Sequence, residues 1–312
     1  MKETLEKFYQ ALDLQYSQGD LDQIERFLLE SAAQMNEDAA ERVGEQIAVY
    51  NELGSFYRGI SRYENSISAF RLAEELAEKE MGEKSTQYAT VLNNMAGTYR
   101  LMGKYEEAIG LFQKSVQIYR LNGEQQTYAY ASVLNNMALV YRETKQLKTA
   151  IEYLEEALSI IETMPQCQQE VAVTYNNLTA LYHAAGDTEK AKKCVELAIR
   201  EFEKCADVEN VHYAAGLNSF AGFLYADGAY EEALALYQKS AEYTKRFFGE
   251  NIEYGVTCQN MYWVYEKTGQ WKEAIAALQQ AKQTFQRLLG EKHERTRAVA
   301  DDLKRLKEVY CT

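Results

Sequence analysis

One column of large residues recurs along this chain every 41 or 42 positions: Tyr57, Tyr99, Tyr141, Tyr182, Leu224 and Tyr265. A fixed period of that size describes stacked supersecondary units, each burying its apolar face against the next, and not a closed globule. Other columns keep the same register. Three positions earlier stand Gly54, Ala96, Ala138, Thr179, Ala221 and Tyr262. Nine positions later stand Ser66, Ala108, Ala150, Ala191, Ala233 and Ala274, and sixteen later Ala73, Ser115, Ala157, Ala198, Ser240 and Ala281. Small side chains at fixed intervals let two helices approach closely.

The punctuation recurs as well. Gly103, Gly186, Gly228 and Gly269 stand where a helix would end in a left-handed cap. Tyr63, Tyr105, Tyr230 and Trp271 open the segment that follows. Each unit therefore reads as a helical hairpin. Residues 4–37 fit a degenerate copy, with Gly19-Asp20-Leu21 as the turn, Ile24 in the alanine column and Ser31 in the second small column. The stretch His293–Tyr310 has helical periodicity without a second helix, as a terminal cap would.

The pattern of Ala96, Tyr99, Gly103, Tyr105–Ala108 and Ser115 resembles the tetratricopeptide repeat (TPR). The longer period, the Asn-Asn pairs and connectors such as Leu289-Gly290-Glu291-Lys292-His293 resemble its kinesin-light-chain subtype. The resemblance implies an all-α fold, a right-handed superhelical solenoid of antiparallel helical hairpins with a C-terminal capping helix. It covers residues 1–312 as one solenoid: hairpin 4–37, six repeats over 43–290, and the cap over 291–312. It also implies that the first helix of each hairpin lines a concave groove.

The Asn-Asn pairs sit in the middle of those first helices, where Asn is a mediocre residue. At about 100° per residue, Leu92, Met95, Ala96 and Tyr99 share one side of the helix. Asn93, Asn94 and Arg100 fall on the other. Stacking then aligns Asn51, Asn93, Asn135, Asn176, Asn218 and Gln259 in one ladder, with Asn94, Asn136, Asn177 and Asn260 in a second. Arg58, Arg100 and Arg142 form a third, which continues as His183, Tyr225 and Glu266. A carboxamide both donates and accepts, so a ladder of them can hold the backbone of an extended peptide. Arginine is the planar partner of carboxylates, which points to acidic side chains on that peptide. Two structural roles compete: the amides as braces between repeats, and the arginines paired with their own helix neighbours. The clamp by which some TPR proteins hold a free C-terminus would need cations where Thr90, Ser132, Val173 and Ala215 stand, so that ligand is not expected. Tyr262 and Trp263 break the pattern, either as an apolar pocket or as packing for the cap.

Composition narrows the partners. A net charge of −13 disfavours nucleic acid and anionic lipid over the surface as a whole. No apolar run is long enough to span a bilayer, and MKETLEKFYQ lacks the layout of a signal peptide. A cytoplasmic protein with reduced thiols is expected, because Cys167, Cys194, Cys205, Cys258 and Cys311 are odd in number and form no CxxC. His183, His212 and His293 do not cluster with them, so no metal site is expected. No phosphate loop, HExxH or GxSxG is present, and no cofactor or catalysis is expected. The sequence describes a non-catalytic protein–protein interaction scaffold that binds a peptide or partner segment in its groove. The alternative is a regulatory subunit that controls a separate folded enzyme or toxin.

Overall fold

The computed structural model describes residues 2–18, 20–37, 42–204 and 211–310. Gly19, Cys205 and Cys311 lie outside them, as does the side chain of His212. The fold is an all-α repeat solenoid, and the described residues contain no strand. By contacts the chain divides into two compact units, residues 1–163 and 164–312.

Unit 1 holds α1 (Lys2–Gln18), α2 (Leu21–Glu37), α3 (Val43–Gly59), α4 (Tyr63–Met81), α5 (Thr86–Leu101), α6 (Tyr105–Leu121), α7 (Tyr128–Glu143) and α8 (Leu147–Ile161). Unit 2 holds α9 (Gln168–Ala184), α10 (Thr188–Glu203), α11 (Val211–Ala226), α12 (Tyr230–Phe248), α13 (Ile252–Lys267), α14 (Trp271–Leu289) and α15 (Glu294–Tyr310). Consecutive helices pair as antiparallel hairpins, and α15 packs on α14. Within unit 1 the first helices α3, α5 and α7 also touch one another, as do α9, α11 and α13 within unit 2. That contact makes a continuous row of first helices along one side of each unit.

The small columns explain the close pairing. Ser66, Ala108, Ala150, Ala191, Ala233 and Ala274 are each 0% exposed, where a longer side chain would separate the helices. The serines are tied down as well as small. Ser115 Oγ donates to the Ala89 carbonyl at 2.8 Å, and Ser240 Oγ to the Ala214 carbonyl at 2.9 Å. Each bond links the second helix to the first of its own hairpin.

The turns share one geometry despite differing residues. The left-handed position after the first helix is Gly103, Gly186, Gly228 or Gly269 in four hairpins. In the other two it is Ser61 (φ 61°) and Lys145 (φ 62°). A residue with a Cβ is strained there by about 1–2 kcal/mol, so packing on either side holds the turn. At the C-terminus, Trp271 and Tyr310 stack with ring centroids 3.9 Å apart. Val299, Leu303 and Leu306 face inward, while Arg295, Arg297, Asp301, Lys304 and Lys307 face solvent. The outer face of α15 is therefore polar, as expected of a capping helix.

One glycine in the small column is needed for packing. A Cβ on Gly54 would lie 2.7–2.8 Å from ring carbons of Phe70, which is 0% exposed. Gly54→Ala is therefore expected to overpack the first full hairpin and destabilise it by about 1–3 kcal/mol. Thermal denaturation followed by circular dichroism checks this; an unchanged melting temperature would mean that the ring has room to move.

Candidate functional site

The row of first helices carries every residue singled out by the Asn and Arg ladders. In unit 1 the two Asn columns interlock with a one-repeat stagger. Asn94 Nδ2 donates to Asn51 Oδ1 at 2.9 Å, and Asn136 Nδ2 donates to Asn93 Oδ1 at 3.1 Å. Asn93 Nδ2 in turn reaches Asn94 Oδ1 at 3.4 Å. The amides therefore stitch α3 to α5 and α5 to α7. Asn93 is only 6% exposed, whereas Asn51, Asn94, Asn135 and Asn136 are half-buried and border the surface. Bracing and surface display coexist in these columns.

The arginines have dissimilar surroundings. Arg100 Nη1 pairs with Glu143 Oε1 of the next repeat at 2.6 Å. The residue one period before Glu143 is Leu101, so Arg58 has no equivalent acid. Its guanidinium lies over Gly97 instead, with Nη1 2.9 Å from where a Cβ would stand. Nη1 donates to the Asn94 carbonyl at 3.1 Å. Burial lowers the Arg58 pKa from its ordinary value; the nearby Arg100 charge adds to this, and Glu52 opposes it. Arg142 is half-buried on α7.

Glu52 takes the place that Asn94 and Asn136 hold in later repeats. Burial raises its pKa above the usual carboxylate value; Arg58 and the Tyr9 phenol, which hydrogen-bonds it, act the other way, and Asp13 adds to the rise. Tyr9 and Tyr16 of α1 are 39% and 44% exposed, and burial together with Glu52 raises both phenol pKa values. Sequence reasoning did not single out Glu52, Tyr9, Gly97 or Glu143. The readable signal was the column after the arginines, where Leu101 gives way to Glu143.

Unit 2 has a different row. Asn218 Nδ2 donates to Thr257 Oγ1 at 2.6 Å, and its Oδ1 is buried without a hydrogen-bond partner. Asn176, Asn177 and Asn260 are half-buried. In the arginine column His183 meets Phe223 edge-on at 5.4 Å, and Tyr225 lies 5.6 Å from Tyr230. Glu266, next in that column, accepts from Arg305 Nη2 of α15 at 2.7 Å. Tyr262 is 0% exposed and its phenol also meets Arg305, at 2.6 Å, so this tyrosine packs against the cap. Trp263 leans on it at 4.6 Å and stays 39% exposed.

Among the described residues no group of His, Cys, Asp and Glu could hold a metal ion. Cys167, Cys194 and Cys258 are buried, and burial pushes the Cys258 pKa up to about 11, which keeps it protonated at neutral pH. No helix among the described residues is long and apolar enough to cross a membrane.

Comparison with known proteins follows the repeat. A sequence signature described as tetratricopeptide repeat matches residues 45–120 and 129–204, and a second of the same description matches 214–251 and 263–295. No curated protein sequence matches the chain. Among solved structures, BtubC (BKLC) from P. vanneervenii is similar at 25% identity and a TM-score of 0.57, over 66% of this chain and 82% of that one. A putative kinesin light chain from Podospora anserina with nearly identical TPR-like repeats gives 18% identity and 0.54, over 64% and 96%. A Signal Transduction ATPase with Numerous Domains protein with a tetratricopeptide repeat sensor, from Pyrococcus horikoshii, gives 14% and 0.71, over 97% of this chain and 46% of that one. The last two likenesses bear on the fold alone.

Two outcomes test the row. Asn93→Ala removes a buried acceptor and strands the Asn136 amide, so unfolding in urea should show a loss of about 1–3 kcal/mol. A loss within a few tenths would show that the interlocked amides are not braces. For Glu52 the sign follows from its raised pKa: the folded state favours the protonated acid, so wild-type stability declines as pH rises above the ordinary carboxylate value. Glu52→Gln should therefore melt with the wild type near pH 4 (about the ordinary value) and above it at neutral pH; a variant that melts lower at neutral pH would contradict the burial of that charge.

Proposed function

Because this chain belongs to the tetratricopeptide repeat family, we propose that it is a non-catalytic protein–protein interaction scaffold whose row of first helices holds an extended partner segment with acidic side chains. The observation that carries this reading is Arg58. It is a half-buried guanidinium whose one hydrogen bond goes to a carbonyl, and no carboxylate is in ion-pair contact with it among the described residues. Partly desolvated charges are normally paired. Glu52 acts on it without reaching ion-pair distance, and the Asp or Glu side chain of a partner would supply the direct, bidentate contact.

The border amides complete the proposal. In unit 1, Asn51, Asn94, Asn135 and Asn136 offer donors and acceptors to peptide backbone, and Arg142 offers a further cation; Asn176, Asn177 and Asn260 offer the same groups on the separate row of unit 2. Asn93, largely spent on its neighbours, sets their positions. Each hydrogen bond contributes about 0.5–1.5 kcal/mol net. A few of them, less the cost of ordering the peptide, give an affinity of roughly micromolar order.

The test uses fluorescent Asp/Glu-rich peptides and neutral peptides of equal length, titrated with the full chain. Acidic peptides should bind more tightly despite the net charge of −13. Arg58→Gln should weaken them roughly tenfold or more, the value of one charged hydrogen bond, with the melting temperature nearly unchanged. Equal capture of both peptide classes, or full affinity in the variant, would end the proposal. Capture of a folded effector but of no isolated peptide would favour the regulatory-subunit reading.

A further inference from the structure

The second helices α4, α6 and α8 carry another face of unit 1, and two shallow hollows lie on it. One, of about 350 Å³, lies between α4 and α6 and is lined by Arg71, Glu74, Leu111 and the buried Met95. The other, of about 360 Å³, lies between α6 and α8 and is lined by Gln113, Val116, Tyr153 and the buried Met137. These are the same four columns, 42 residues apart. In both hollows a first-helix methionine forms the floor between two second helices.

The crest between the hollows is the outer side of α6, where Gly110, Gln113 and Gln117 are exposed and uncharged. Gly110 has no reason within the fold to be glycine. It sits in the helix interior, it is absent from the positive-φ residues, and a Cβ built on it meets nothing within 4 Å. Gly54, Gly216 and Gly255 differ, since each lies under a phenylalanine ring. Glycine in an exposed helix interior is less stable than alanine. The one thing a bare backbone offers there is close approach from outside.

Charge indicates what approaches. Unit 1 has 16 basic and 26 acidic residues, so it carries −10 of the chain's −13. Around the crest, Glu75 and Glu78 of α4, Glu107 of α6 and Glu152 and Glu155 of α8 are exposed, against the exposed cations Arg71 and Arg120, which line the hollows, and Lys114, so acids outnumber bases there. We propose that the α4–α6–α8 face docks a basic amphipathic helix of a partner protein, which crosses α6 at Gly110 and seats apolar side chains in the two hollows. The spacing agrees: neighbouring second helices lie about one helix diameter apart, ~10–12 Å, and residues seven apart on a helix are ~10.5 Å apart. Apolar residues at i and i+7 reach both methionine floors, and Lys or Arg on the flanks meets the four glutamates of α4 and α8. This surface is separate from the first-helix row, so either can fail without the other.

The probe is a fluorescein-labelled Leu/Lys peptide with its leucines on one helical face, titrated with the full chain at near-physiological salt. The controls are a peptide of the same composition with its leucines dispersed around the helix, and a Leu/Glu version of the probe. The probe should bind at micromolar concentration and both controls roughly tenfold more weakly. Gly110→Gln should weaken the probe roughly tenfold, while Gly110→Ala should raise the melting temperature. The proposal is overturned by equal binding of the dispersed peptide, by unchanged affinity in Gly110→Gln, or by a lowered melting temperature in Gly110→Ala. A wild-type dimer that Gly110→Gln dissociates, seen by sedimentation equilibrium, would put a second copy of the chain on this face and overturn it too.

Discussion

The fold rests on the close approach of two helices within each hairpin. Six side chains no larger than serine, all fully buried, mark where the second helix crosses the first. The distance between the axes is set there, and the large columns fill the space that this distance leaves. Ser66 of those six, like Ser115 and Ser240 of the second small column, also satisfies a helix carbonyl across the contact. One hairpin cannot bury its own outer face, so the same geometry drives stacking on the next. After the last hairpin, α15 packs on α14 and presents a polar outer face.

Register between hairpins in unit 1 has a second source, the staggered amides. Each Asn of the second column reaches back to the first-column Asn of the preceding repeat, at 2.9 and 3.1 Å. A hydrophobic seam tolerates sliding, whereas a chain of directional bonds does not. The same stagger explains why Arg58 and Arg100 differ although the ladder treats them alike. Arg100 meets the residue 43 positions later, and the same offset can be counted from Arg58. That residue is Glu143 for Arg100 and Leu101 for Arg58.

The repeat made the fold legible, because size at a column is a property of the sequence itself. The left-handed turn was legible at its four glycines and hidden at Ser61 and Lys145, where flanking packing overrides residue preference. The wheel put Asn93 and Asn94 on one side of the helix but could not say which is buried. Burial there depends on the neighbouring hairpin, and Asn93 is covered while Asn94 stays at the edge. Tyr9 and Glu52 were illegible for the same reason: their pairing crosses from a degenerate hairpin to a regular one and obeys no column. Tyr262 was read with two alternatives, and the bond from Arg305 places it against the cap.

What remains after packing is explained is a short set of residues that weaken the fold. Arg58 gives up water without an ion-pair contact, and Glu52 offsets the loss only through its field. Gly110 gives up helix stability without any close contact. A sequence that satisfies its own fold almost everywhere violates local rules mainly where something outside the chain completes them. One of these residues lies on the row of first helices and the other on the second helices. The two also differ in chemistry, since an unpaired cation selects an anion and a bare backbone selects a shape. Under the two proposals a peptide would lie on one face and a helix on another, and neither partner would need to displace the other.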